Sequence, residues 1–546
     1  MEILRIHKLN EVFFQIECDD AGIKMELREH FSFFAQNYKF HPDYKARRWD
    51  GRLYLYDIRF SRLHIGLFWD FFHFCDERGY RIEFIESRHT DCYYGSLKET
   101  VTPNEVDQED IRILDSIPFV YDELRDYQMN SVVQAITHRR QIIVIPTGGG
   151  KSGAIYYLSL WHIQKHQSPV LIVVPTTGLV AQMTKDFHVY AKGSLPRDFV
   201  HQIYSGQEKE NINHRESPVV VSTWQSLAAI DQTRNRRGGN GGGNGNGNGN
   251  GDGGGFSLKS FLQPYGMIVI DEVHTADAKS LTNILESATE SNHRFGFTGT
   301  LKESKISELQ LKGLLGNVYR AIHTHELQQR NELADLQIEC HVLKYPAEMR
   351  QAFAKSKPVY QKEIDFILSF DERNRYICEL ALSLKGNTLI LFQYVERHGK
   401  KIFQKLRDLC YNQPDRKLFF ISGASPVEDR ERMREIVEKE KNAIVVGSSQ
   451  VLSTGVNIVN LENLIFASST KSSIRVIQSI GRALRVSETK QKARLYDIVD
   501  DISWKSRKNY TLNHALKRIE FYVHEKFKYK MIDVEFDPNN AGTDKS

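Results

Sequence analysis

Between residues 111 and 330 short apolar runs alternate with longer stretches whose apolar positions recur every three or four residues. The runs fall at 141–145, 170–174, 219–222, 267–270 and 295–297. A short run without polar alternation marks a strand covered on both faces, and the amphipathic stretches between runs supply the covering helices. This order predicts a parallel sheet with helices on both sides. The rhythm resumes at 388–392, 417–421, 443–446, 463–467 and 494–499, predicting a second domain of the same kind over 331–504. Residues 505–530 carry Leu512, Leu516, Ile519, Val523 and Phe527 at helical spacing and predict a terminal helix packed on that second domain, within an extension over 505–546. Lys517, Arg518, Lys526, Lys528 and Lys530 are left for solvent or nucleic acid.

The first 97 residues follow neither pattern. They are dense in aromatic and basic residues and predict a small separate α+β domain. The polar, acidic stretch 98–110 reads as a linker. One segment, Gly238 to Gly255, is almost pure glycine and asparagine. It has too little apolar surface to pack and reads as an extension of a surface loop, more in keeping with a tolerated insertion than with a strand-binding tether.

Composition narrows the class without deciding it. With 546 residues, 40% hydrophobic and 26% charged, the chain has the make-up of a multi-domain globular protein. Its net charge of +4 suits a nucleic-acid partner but does not require one. The six cysteines show no C-x-x-C spacing, so neither a zinc site nor a disulfide framework is expected. The N-terminal residues carry charges where a secretory signal needs an apolar run, and no stretch is long enough to span a membrane. A cytoplasmic setting is expected, the host cytoplasm if the chain is phage-encoded.

The chemistry concentrates after the first and fourth strands of the first α/β domain. Thr147, Gly148, Gly149 and Gly150 lead into Lys151 and Ser152. Glycines let backbone N–H groups approach phosphates closely, and a following helix N-terminus favours negative charge. Lys151 would meet the β- and γ-phosphates, and Ser152 would offer its hydroxyl to Mg²⁺. Ile145 stands where the full phosphate-loop pattern has its first glycine. Asp271 and Glu272 end the 267–270 strand, placed for metal binding and for activating a water respectively. His274 follows, either as a contact to the second domain or as a plain polar loop residue. Upstream, Arg125 and Gln128 precede the loop. The Gln128 amide has the donor and acceptor that adenine N7 and N6 require.

In order and spacing these residues resemble the motif series of superfamily 2 helicases. Val174 to Gln182, Ser222 to Leu227, Phe297 to Thr300, Leu391-Phe392, Ser453 to Asn457 and Gln478 to Arg485 fill the remaining positions, although an Asp is common where Asn457 stands. The resemblance implies two tandem RecA-like domains with ATP held between them. It implies further roles for Gly455 at the nucleotide, for Gln478 in the catalytic set, and for Arg482 and Arg485 as arginine fingers. Thr176, Thr223 and Thr454 become candidates for contact with strand phosphates, although helix capping explains such residues equally well. Phe31 to Phe34, Tyr38 to Pro42 and Arg48 to Arg52, with Asn509 to Leu516 near the other end, resemble the UvsW-like recombination helicases of phages. That family implies action on branched and single-stranded DNA: forks, Holliday junctions, D-loops and R-loops, and so also RNA–DNA hybrids. Lys45, Arg47, Arg48 and Arg52 form the basic cluster expected to bind nucleic acid, around a Trp49 more in keeping with packing than with stacking. Two rivals stand beside this reading: a double-strand DNA translocase that does not separate strands, and an annealing or scaffolding protein with a vestigial ATPase.

Overall fold

The computed structural model describes residues 2–35, 37–85, 96–146, 148–204, 212–237, 257–275, 278–299, 307–330, 335–356, 359–410, 416–423, 425–449, 461–468, 492–524 and 526–536. The Gly/Asn segment, Thr147, Thr454, Gly455, Gln478, Arg482 and Arg485 lie outside the described residues. The chain divides into two compact units. One comprises Met1–Ile145 with Gly150–Ile322, the other Pro146–Gly149 with His323–Ser546.

The first unit holds two subdomains. Strands β1 (Ile3–Lys8), β2 (Phe13–Glu17), β5 (Arg62–His64) and β6 (Arg81–Phe84) form a mixed sheet in the order β5-β2-β1-β6. The helix Phe68–Arg78 buries Phe68, Phe71 and Phe74 in the core beneath it. A separate two-stranded ribbon, β3 (Ser32–Phe34) with β4 (Arg52–Tyr54), carries the basic turn. The second subdomain is a seven-stranded parallel sheet: β7 (Arg140–Val144), β8 (Val170–Val174), β9 (Val200–Ile203), β10 (Val219–Thr223), β11 (Met267–Asp271), β12 (His293–Thr298) and β13 (Asn317–Arg320). Its order is β13-β7-β12-β11-β8-β10-β9. β7, β8, β10, β11 and β12 are buried along their whole length, β7 and β12 even at their opening Arg140, Gln141, His293 and Arg294.

The two subdomains are locked together, which the reading of 98–110 as a linker did not anticipate. Arg140, the first residue of β7, is buried against Glu11: it pairs with the carboxylate and donates to the Glu11 carbonyl at 2.5 Å. Lys8 reaches the other Glu11 oxygen and the Thr100 hydroxyl. His64 meets Glu286 at 3.0 Å, and Lys312 donates to Asp70 at 2.7 Å. The intervening residues form two helices, Leu97–Val101 and Gln108–Ser116. Lys165 gathers Asp107 and Glu109 at 2.8 and 2.6 Å, and Trp161 donates to Asp110 at 2.9 Å. The acidic residues therefore act as a strap.

The second unit contains another seven-stranded parallel sheet: β14 (Asp335–Lys344), β15 (Thr388–Phe392), β16 (Leu418–Ile421), β17 (Ile444–Ser448), β18 (Asn463–Phe466), β19 (Lys492–Asp501) and β20 (Lys528–Glu535), in the order β16-β17-β15-β18-β19-β14-β20. The terminal helix is shorter than expected, Tyr510–His524, because the chain turns back to add β20 beside β14. Leu512, Ile519 and Phe527 pack on the second-unit core as expected, but other residues share that face. Ala515, Arg518 and Tyr522 are fully buried, whereas Val523 is exposed. Arg518 faces the sheet because Asp497 of β19 takes both guanidinium branches at 2.9 and 2.7 Å and the Tyr522 hydroxyl at 2.8 Å. A residue expected at solvent or DNA is thus the anchor of the helix. Glu363 secures the start of the helix by accepting from Tyr510 N, Thr511 N and the Thr511 hydroxyl.

Candidate functional site

The candidate residues of the first unit converge on the carboxyl edge of its parallel sheet, where open α/β sheets place their ligands. β7 runs into the glycine loop, β8 ends before Thr176, β10 ends at Thr223, β11 at Asp271 and β12 at Thr298.

Gly148 and Gly150 sit at φ +86° and +77°, a conformation that side chains seldom adopt. A Cβ on Gly150 would stand 2.1 Å from the Gln128 amide nitrogen. The loop is a cradle that a side chain would fill, and it opens onto the N-terminus of the helix Lys151–His166, whose first residue is Lys151. Gln128 braces it. Its Oε1 accepts from Arg125 N at 2.9 Å and its Nε2 donates to the Gly150 carbonyl at 3.2 Å.

Lys151 is buried, and its Nζ lies 3.0 Å from Glu272 Oε1. Glu272 takes a left-handed backbone, φ +49°, unusual for a residue with a side chain. Asp271 Oδ1 accepts its N–H at 2.9 Å and holds that turn. The other Glu272 oxygen lies 3.4 Å from His274 Nδ1, and the same nitrogen meets the Thr298 hydroxyl at 2.7 Å. His274 is therefore tied to the strand end that opens Thr298-Gly299-Thr300, within its own unit. Sequence reasoning missed this link, although the Asp-Glu-x-His order contained the residue.

The donors nearest the loop are hard oxygens, the Asp271 carboxylate and the Ser152 hydroxyl, a set that fits Mg²⁺. The Ser152 hydroxyl is bonded to Tyr190 at 2.7 Å. Thr176 and Thr223 both cap helices: Thr176 accepts from Leu179 N, and Thr223 accepts from Ser226 N and donates to the Ser226 hydroxyl. In the ribbon, Lys45, Arg47 and Arg48 are exposed. Arg48 pairs with Asp43 at 2.6 Å, and Arg52 lies over the Phe34 ring, 4.7 Å from its centroid. Trp49 is half-buried, and its indole donates to the Arg52 carbonyl at 2.8 Å.

Three family descriptions match in chain order: DNA helicase UvsW, N-terminal, over residues 4–85; Type III restriction enzyme, res subunit, over 121–303; and Helicase conserved C-terminal domain over 372–487. The chain is 30% identical to the ATP-dependent DNA helicase uvsW of Enterobacteria phage T4 over 543 residues, which is 97% of this chain and 99% of that one. The chain belongs to the UvsW family of ATP-dependent DNA helicases. Its relatives in that motor class include the DNA 3'-5' translocase XPB2 of Sulfurisphaera tokodaii, 23% identical over 74% of this chain and 89% of that one. The fold is shared with the ATP-dependent Type ISP restriction-modification enzyme LlaBIII bound to DNA, at TM-score 0.52 and 14% identity over 76% of this chain and 31% of that one. As a UvsW-family member the chain is an ATP-dependent DNA helicase. Among the described residues no helix is long and apolar enough to cross a membrane.

Proposed function

We propose that this UvsW-family enzyme couples ATP hydrolysis, with Mg²⁺, to the unwinding or branch migration of recombination and replication intermediates. The observation that carries the reading is the linked set Lys151–Glu272–His274–Thr298, in which Lys151, His274 and Thr298 are buried and Glu272 is half-buried. It joins the phosphate loop to the strand end that, in the family, relays hydrolysis to nucleic-acid movement. Lys151 and the glycine cradle bind and orient the triphosphate. Bound Mg²⁺ supplies charge neutralisation on the phosphate oxygens, with Asp271 and Ser152 as its protein donors. Glu272 orients the attacking water and takes its proton. His274 senses that change in Glu272 and passes it to Thr298. Arg482 and Arg485 serve as fingers on the γ-phosphate, and Gln478 and Gly455 complete that half of the site.

The ribbon carrying Lys45, Arg47, Arg48 and Arg52 belongs to the same compact unit as the phosphate-loop helix. A junction gripped there is carried by the motor domain itself. Branched DNA is therefore the substrate that gains most from the N-terminal subdomain, with single-stranded DNA and RNA–DNA hybrids held by the motor motifs.

The test is ATP turnover by the full chain with single-stranded, duplex, forked and four-way DNA and with RNA, alongside strand-separation assays. Forked and four-way DNA should stimulate most and be remodelled. Strong stimulation by plain duplex without strand separation would favour a translocase, the activity in the name of the Sulfurisphaera relative. Turnover indifferent to nucleic acid would overturn both.

A further inference from the structure

At the end of the phosphate-loop helix remote from Lys151, three histidines face one another. His162 and His166 stand one turn apart on the helix Lys151–His166, and His293 opens β12. Their ring centroids form a nearly equilateral triangle with sides of 4.9, 5.0 and 4.9 Å. Each ring offers one nitrogen within 4.8 Å of the other two. We propose that this triad binds a single Zn²⁺ ion, with solvent completing the coordination on the side of the exposed His166.

Two features support a built site. First, His293 Nδ1 lies 2.7 Å from the Asn292 side-chain oxygen, and His162 Nε2 lies 2.7 Å from the Ser168 hydroxyl. Such bonds fix ring orientation and tautomer, as the outer partners of metal-bound histidines do. An amide oxygen only accepts, so His293 carries its proton on Nδ1 and keeps a lone pair on Nε2. Second, His162 is fully buried and its Nδ1 has no hydrogen-bond partner among the described residues. Zn²⁺–nitrogen bonds of about 2.0–2.1 Å place tetrahedral ligands about 3.3 Å apart, so the triad needs only a modest inward closure.

The placement gives the ion a role. One end of the helix carries Lys151, and β12 ends at Thr298. An ion here would staple the far ends of the two elements whose near ends take part in the candidate catalytic relay. Sequence reasoning searched for cysteine spacing and so passed over a His-x-x-x-His pair completed from 127 positions downstream of its second member.

The test uses full-length protein stripped with a chelator and titrated with ZnCl₂ by calorimetry, with Co²⁺ absorption as an independent report of coordination. One saturable site per chain is expected, with a rise in melting temperature on binding. His166 is exposed at the last residue of its helix, so His166→Ala should keep the fold, checked by circular dichroism. It should weaken Zn²⁺ binding at least about tenfold, the lower range for disrupting a metal site. Absence of saturable binding, or binding by His166→Ala with unchanged affinity, overturns the proposal.

Discussion

Lys151, buried, and Glu272, half-buried, form an ion pair at 3.0 Å between the phosphate-loop helix and the end of β11. The cation proposed for the phosphates and the carboxylate proposed for the water thus hold each other. With the proposed roles, a bound triphosphate would compete with Glu272 for Lys151, so that nucleotide binding and release of the base would become one event.

That exchange makes Glu272→Gln informative. Removing the carboxylate should cost about 10² to 10⁴ in turnover, the usual worth of a general base. Nucleotide affinity should hold or rise, because Lys151 loses its competitor. Weaker ATP binding with an undiminished catalytic rate would contradict the assignment. Lys151→Ala is the converse: turnover should vanish while circular dichroism stays that of the wild type.

Gly150→Ala should damage the site by shape alone. The new Cβ would meet the Gln128 amide at 2.1 Å on a backbone at φ +77°. The strain should lower stability by about 1 kcal/mol or more and reduce ATP affinity. A melting temperature and nucleotide affinity both unchanged would show that the loop adapts.

Arg482→Ala and Arg485→Ala should leave ATP binding largely intact and cut hydrolysis by about 10³ to 10⁵, as for arginine fingers elsewhere. Loss of binding at unchanged catalytic rate would exclude that role. Pre-steady-state binding measured beside steady-state turnover separates the two.

Glu11→Gln should loosen the junction between the two subdomains of the first unit. Arg140 and Lys8 would remain buried without their shared carboxylate. Breaking a buried pair from one side costs about 3–5 kcal/mol. Thermal unfolding of the full chain measures it, and a shift within error would mean the cations find water.

Neutralising Arg47 and Arg48 together should weaken binding to forks and four-way junctions while sparing basal ATPase. Each lost phosphate contact lowers the salt slope by about one unit. Arg47, exposed, should matter more than Arg48, which Asp43 already engages. Unchanged affinity and slope on branched DNA would make the cluster a solvated surface.

Strands buried on both faces were legible because burial leaves only apolar residues: the 170–174 and 388–392 runs coincide with β8 and β15. The remaining predicted runs match their strands to within two residues at each end. β13 and β20 were invisible because edge strands keep polar side chains, and β20 is exposed along most of its length. The site residues of the first unit could be named from motif order. Their pairings could not, since Lys151 with Glu272 and His274 with Thr298 are separated in sequence and meet only through the sheet. Acidic residues at 107–110 looked like a linker because no local signal shows that Lys165 lies across from them. Arg518 looked solvated because a buried arginine is expected only when its partner is known, and Asp497 is on another element.

β14 has a consequence for how the protein is made. It leaves the ribosome near the start of the second unit, yet its two neighbours, β19 and β20, are encoded at 492–501 and 528–535. Until residues 492–535 have been made, both edges of this ten-residue strand stand open. Open edges invite pairing with other chains. Nascent second units should therefore depend on chaperone shielding, and a chain truncated after Phe527 should aggregate even though every candidate catalytic residue precedes the cut.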